Sequence, residues 1–118
     1  MSIFESYKET ITDIQTLYRS RLIIEIILSL NEETKTLSQL RDITGSTSQA
    51  LIPKIRKLES LIEAKKEGFF LTSIGKIVAF KIADSFLMMR TINKHKQFWL
   101  DHYLETIPVS LLNEIEYL

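Results

Sequence analysis

The chain has no cysteine, three glycines, two prolines and one tryptophan, and it lacks any long uninterrupted apolar run. Each shortage removes a class of protein. Without thiols there is no disulfide scaffold, no cysteine nucleophile and no thiolate metal site, and the composition suits a reducing cytoplasm. So little glycine and proline argues against a loop-rich all-β fold and for long helices. The longest apolar stretch, "LIIEIILSL" (22–30), is interrupted by Glu25 and is too short to cross a bilayer. The first residues lack the basic-then-apolar pattern of a secretory signal. A soluble, cytoplasmic, single-domain-sized chain of 118 residues is expected.

The formal net charge is zero, but the charge is unevenly distributed. Residues 35–96 carry twelve Lys/Arg against five Asp/Glu, about +7. The compensating acids sit in the flanks: Glu5, Glu9, Asp13, Glu25, Glu32 and Glu33 on one side, Asp101, Glu105, Glu114 and Glu116 on the other. A basic middle between acidic ends is an electrostatic footprint for an anionic partner. The alternative is that these charges only solvate helix faces.

Hydrophobic spacing organises the chain. Phe4, Tyr7, Ile11, Ile14 and Tyr18 recur at helical intervals, and Leu22, Ile23, Ile26, Ile27 and Leu30 form a denser second stripe. The two are one helix or a pair jointed near Ser20, a candidate N-cap. After the polar "NEETKT", Ser38 is placed to cap a short helix carrying Leu40 and Ile43, and Gly45 to stop it. Ser46 and Gln49 then stand in capping-box spacing before the seam Leu51, Ile55, Leu58. "IEAKKEGFFLT" reads as a β-hairpin with its tip at Glu67-Gly68. Thr72 or Ser73 starts another long helical run, and Pro108 opens a short last helix.

That order is the one a winged helix-turn-helix requires: short helix, tight glycine turn, second helix, hairpin. The fold class expected is mainly α, a three-helix core with a short β-hairpin wing and extra N- and C-terminal helices. Leu37, Leu40, Ile43, Leu51, Ile55, Leu58, Ile62 and Leu71 should close the core with the first helix. The organisation expected is an N-terminal helical extension (1–19), the winged domain (20–73), a long dimerisation or linker helix (74–107) and a C-terminal helix (108–118).

At these residues the chain resembles a known group. "TLSQL", "TGSTSQAL", "KIRKLE" and "LTSIGK", in that order, are similar to the winged-helix domain of MarR/ArsR-like regulators, above all those of methanogenic archaea. "FWLDHYLETIP" is similar to the segment that joins that domain to a C-terminal sensing domain in the methanogen proteins. The resemblance implies a transcriptional regulator that binds double-stranded DNA, here as a truncated or stand-alone form without the sensing domain.

The recognition helix is expected over about 46–61. With Leu51, Ile55 and Leu58 buried, its open face should present Gln49, Ala50, Pro53, Lys54 and Lys57, with Ser46, Thr47 and Ser48 at its N-terminus. Gln49 suits bidentate pairing with adenine, Lys54 guanine or phosphate, and Lys57 phosphate. Arg41, Lys65 and Lys66 are further phosphate candidates, and Arg56 lies off the face, near Glu59. Each has a plainer reading: a helix cap, a solvated lysine, or edge-strand lysines that discourage pairing.

Phe80, Phe86, Met88, Met89, Phe98, Trp99 and Tyr103 are too many large apolar residues for so small a winged domain to bury alone. Either they pack against the N-terminal helix of the same chain, or a homodimer is built on the first and last helices, with Phe4, Tyr7, Ile11, Phe86, Met89, Phe98, Trp99 and Tyr103 in its interface; the homodimer is expected. His95, His102 and Asp101 are too few and too widely spaced for zinc. No phosphate loop, nucleophile elbow or HExxH is present, so neither catalysis nor a cofactor is expected. Alternatively, the winged helix is a protein–protein interaction module that does not bind DNA. An unidentified small-molecule effector would need a pocket that the sequence does not reveal.

Overall fold

The computed structural model describes residues 2–101. Five helices and one hairpin follow in chain order: α1 (Ile3–Arg19), α2 (Arg21–Glu32), α3 (Leu37–Thr44), α4 (Ser48–Lys57), β1 (Ile62–Lys65), β2 (Gly68–Leu71) and α5 (Ser73–Asp101). This is a winged helix-turn-helix arrangement, mainly α, preceded by an additional N-terminal helix. The expected C-terminal helix, 108–118, lies outside the described residues. One compact unit comprises Met1–Ala79, and a second begins at Phe80.

Local chemistry sets the boundaries. Ser20 breaks the first helical run: its backbone is extended, and its hydroxyl accepts from the Ile23 N–H at 3.3 Å, capping α2. The cap of α3 is Thr36 rather than the expected Ser38. Thr36 Oγ1 accepts from Gln39 N (3.2 Å) while Gln39 Oε1 accepts from Thr36 N (2.8 Å), a reciprocal capping box. Gly45 ends α3 in the left-handed region (φ 67°) with its N–H on the Arg41 carbonyl. Thr72, not Ser73, caps α5, its hydroxyl accepting from Gly75 N at 3.1 Å.

α2 is the hub of the first unit, packing on α1, α3, α4 and β2. Ile23, Ile26, Ile27 and Leu30 are buried along it, and Leu40, Leu51, Ile55, Leu58, Ile62, Leu71 and Ala79 join them from the other elements. Each fully buried Leu or Ile contributes about 1.5–3 kcal/mol relative to exposure. Leu37 is only half-buried, and Ile43, expected inside, is 51% exposed. The inner seam of α3 is Leu40 and Thr44, one i,i+4 pair, which leaves Ile43 about 80° from the seam's centre. Thr44 is tolerated inside because its hydroxyl donates to the Leu40 carbonyl at 2.7 Å.

The hairpin is antiparallel, with Ile62 opposite Leu71 and Lys65 opposite Gly68. Its two-residue loop is therefore Lys66-Glu67, one residue earlier than expected. A third strand fragment, missed in the "NEETKT" reading, completes the wing. Lys35 N donates to Phe69 O (3.1 Å) and Phe69 N to Lys35 O (2.7 Å). Lys35 is buried, and its ammonium is satisfied by Glu33 Oε1 at 2.7 Å. Gly68 (φ 135°) permits that approach: a Cβ there would lie 2.5 Å from the Lys35 carbonyl oxygen.

Candidate nucleic-acid interface

The turn between α3 and α4 consists of Gly45, Ser46 and Thr47. Three hydroxyl residues in succession, Ser46-Thr47-Ser48, compete to start α4, and the structure selects Thr47. Its hydroxyl accepts from Ala50 N (3.2 Å), and its carbonyl accepts from Leu51 N (3.0 Å). The Ser46–Gln49 capping box is therefore not formed. Ser46 is committed differently, its N–H donating to the buried Thr44 hydroxyl at 3.3 Å. That bond ties the turn to α3 and delays the helix by one residue.

α4 is correspondingly shorter than 46–61. Leu58 N bonds to Ile55 O, and the Leu58 carbonyl then receives both Leu61 N and Ile62 N. The chain turns there, placing Leu58 and Ile62 in the core at the start of the hairpin. Pro53 occupies the sixth helical position, exposed, and the helix continues through it. Having no N–H, it leaves the Gln49 carbonyl without its helical donor.

The surface of α4 separates into two parts. Gln49, Ala50 and Pro53 are exposed. Arg56 joins them, exposed and seven residues from Gln49, so the two lie within about 20° on the helix wheel. Its separation from the face was therefore an error, and the i,i+7 spacing already present in the sequence shows it. Arg56 also makes no ion pair with Glu59. Lys54 (half-buried) and Lys57 (exposed) instead line a cleft with Thr12, Gln15, Thr16 and Arg19 of α1.

Of the remaining expected positions, Thr47 is exposed and Ser46 and Ser48 are half-buried at the helix start. Arg41 is exposed on α3. Lys65 is exposed, with its ammonium over the Phe70 ring at 4.7 Å, and Lys66 is exposed in the loop. Neither lysine is ion-paired among the described residues. On α1, Phe4 and Tyr7 are exposed, stacked at 6.0 Å between ring centroids, and Ile11 is half-buried. Phe86, Met89 and Phe98 are exposed on α5, whereas Tyr103 and the side chain of Trp99 lie outside the described residues.

Among the described residues there is no cluster of three metal-ligating side chains, and no helix is long and apolar enough to cross a membrane. The Glu33 carboxylate faces the ammonium of the buried Lys35. That carboxyl is held below the ordinary value, first by the hydrogen bond from Lys35 and then by the charge of that lysine.

Residues 11–92 match the family model described as methanogenesis regulatory protein FilR1, N-terminal domain. Among curated proteins, the methanogenesis regulatory protein FilR1 of Methanothrix harundinacea (strain 6Ac) is 22% identical over 113 residues. That alignment covers 94% of this chain and 25% of the relative, so the chain spans about a quarter of that protein's length. No solved structure matches.

Proposed function

Because the chain belongs to the family of the N-terminal domain of methanogenesis regulatory protein FilR1, we propose that it is a transcriptional regulator that binds duplex DNA through α4. The observation that carries this reading is the helix-turn-helix itself. A buried Thr44 and the left-handed Gly45 fix the turn, and α4 presents Gln49, Pro53 and Arg56 outward with no competing ion pair among the described residues. A helix so presented fits the major groove, where Gln49 pairs with adenine and Arg56 with guanine or phosphate. Ser46, Thr47, Ser48 and Ala50 lie at the groove-entering end, and Arg41, Lys65 and Lys66 anchor on flanking phosphates. The protein acts sterically near a promoter, without catalysis or cofactor.

The reading extends to a MarR/ArsR-like docking mode, a cytoplasmic setting and an archaeal source like that of the FilR1 relative, and it leaves room for a small-molecule effector. It also extends to a homodimer. The stacked, exposed Phe4 and Tyr7 of α1 and, separately, the exposed Phe86 and Met89 one helical turn apart on α5 support that assembly, since large apolar side chains grouped on an exposed helix face mark an interaction surface. Sedimentation equilibrium at micromolar concentration should give twice the chain mass; a monomer throughout removes the dimer.

Fluorescence anisotropy with mixed-sequence duplex DNA at low and moderate salt tests the central reading. Binding that weakens steeply with salt is expected, and selection from a random duplex pool should then yield a consensus lost in Gln49→Ala. No binding at low salt would replace this reading with a winged helix that serves as a protein-interaction module.

A further inference from the structure

The cleft between α1 and α4 is the least explained feature of the first unit. It encloses about 510 Å³ and is lined by Thr12, Gln15, Thr16, Arg19, Ser20, Ile23, Lys54 and Lys57. Three of these are cations and none is an acid. No ion pair neutralises Arg19, Lys54 or Lys57; the salt bridges among the described residues are Arg21–Glu25 and Lys35–Glu33. Asp13 lines a neighbouring pocket together with Lys57, but no ion pair joins them. Ser20 and Ile23, the N-cap and third residue of α2, add the positive end of a helix dipole. Three unneutralised cations around one hollow, with hydroxyls and an amide between them, favour an oxyanion.

The polar residues of α1 form their own stripe. Thr12, Gln15, Thr16 and Arg19 follow i,i+3,i+4,i+7 spacing, about a third of a turn away from the apolar stripe of Phe4, Tyr7, Ile11, Ile14 and Tyr18. α1 therefore turns one face to the cleft and leaves another free. A major groove about 12 Å wide admits one helix about 10–12 Å across. If α4 fills the groove, α1 beside it is left over the phosphate ridge.

We propose that the α1–α4 cleft binds a phosphate of the DNA backbone, gripped by Arg19 from one side and by Lys54 and Lys57 from the other, so that the N-terminal helix belongs to the DNA interface. This rests on the reading that α4 enters DNA. A free phosphate would satisfy the same chemistry, and the experiment separates the two sources.

Duplex affinity is measured by anisotropy across a salt series for the full chain and for Arg19→Ala, Lys54→Ala and Lys8→Ala, with circular dichroism to confirm folding. Arg19→Ala and Lys54→Ala should each make the slope of log K against log salt shallower by about 0.9, one phosphate contact. Lys8→Ala, which removes an α1 charge remote from the cleft, should leave the slope unchanged. If the wild type binds and Arg19→Ala keeps the full slope, the clamp is wrong while recognition by α4 stands. If the wild type fails to bind duplex at low salt, the reading of α4 fails. In that case, thermal stabilisation by pyrophosphate that is lost in Arg19→Ala would assign the cleft to a free phosphate and overturn the backbone assignment.

Discussion

Pro53→Ala puts a number on the oddest residue of α4. Pro53 is the sixth helical residue, beyond the first turn in which a missing N–H costs nothing. The alanine variant restores an N–H to the Gln49 carbonyl and removes the ring from that carbonyl's path. Interior proline is about 3 kcal/mol worse than alanine, which sets the ceiling. The residue is exposed, so water reaches the orphan carbonyl, and the net gain should fall to about 1–2 kcal/mol. For a domain of this size that is roughly 4–10 °C in Tm.

Urea unfolding followed by circular dichroism should show a higher midpoint with an unchanged slope. An unchanged or lowered midpoint would refute the view that proline sits at a cost in a regular helix. The same variant also reports on function. Gln49 is the residue whose carbonyl the proline frees and whose side chain is proposed to read a base, so duplex affinity should change along with stability. Stabilisation with unaltered affinity would reduce Pro53 to a tolerated flaw.

Two further perturbations probe the wing. Gly68→Ala sets a Cβ against the Lys35 carbonyl in a positive-φ residue and should break both Lys35–Phe69 hydrogen bonds. A loss of about 2–4 kcal/mol in urea unfolding is expected; Gly45→Ala, with nothing within 4 Å of the new methyl, should cost only the left-handed backbone, about 1–2 kcal/mol. Glu33 is held below its ordinary value by Lys35, so its contribution is complete above the unfolded value of about 4.5 and fades as pH falls through the lower folded value. Glu33→Gln should therefore unfold at lower urea near neutral pH and lose less than wild type below about pH 4.5, and parallel curves would show that the pair contributes nothing.

Period and punctuation carried the architecture: the Ser20 joint, the Gly45 stop, the hairpin and the seam Leu51, Ile55, Leu58 all depend on neighbours within a few residues. The misreadings share another cause. Ser46, Thr47 and Ser48 are equivalent as caps by type, and only the buried Thr44 hydroxyl, taking the Ser46 N–H, decides among them. Lys35 looked like part of a polar break because its strand partner, Phe69, is more than thirty residues away. Ile43 fits the helical period as well as Thr44 does. The hydroxyl could go inside because it satisfies itself on the Leu40 carbonyl, leaving the isoleucine to solvent.

The site shows the same division more sharply. One open face was expected to hold Gln49, Ala50, Pro53, Lys54 and Lys57, with Arg56 elsewhere. Helix geometry alone places Arg56 beside Gln49 and puts Lys54 about 140° from Gln49, so the division of α4's surface was available in the sequence and drawn in the wrong place. What no spacing rule supplies is α1. Its polar stripe acquires meaning only because packing on α2 brings it alongside α4. Under the proposed phosphate clamp the basic middle and acidic flanks of the sequence are an incomplete guide, because Arg19, which lines the cleft with Lys54 and Lys57, belongs to an acidic flank. Charge counted along a chain ranks segments, whereas a phosphate responds to charge gathered in space, and in that respect the N-terminal helix is part of the basic face.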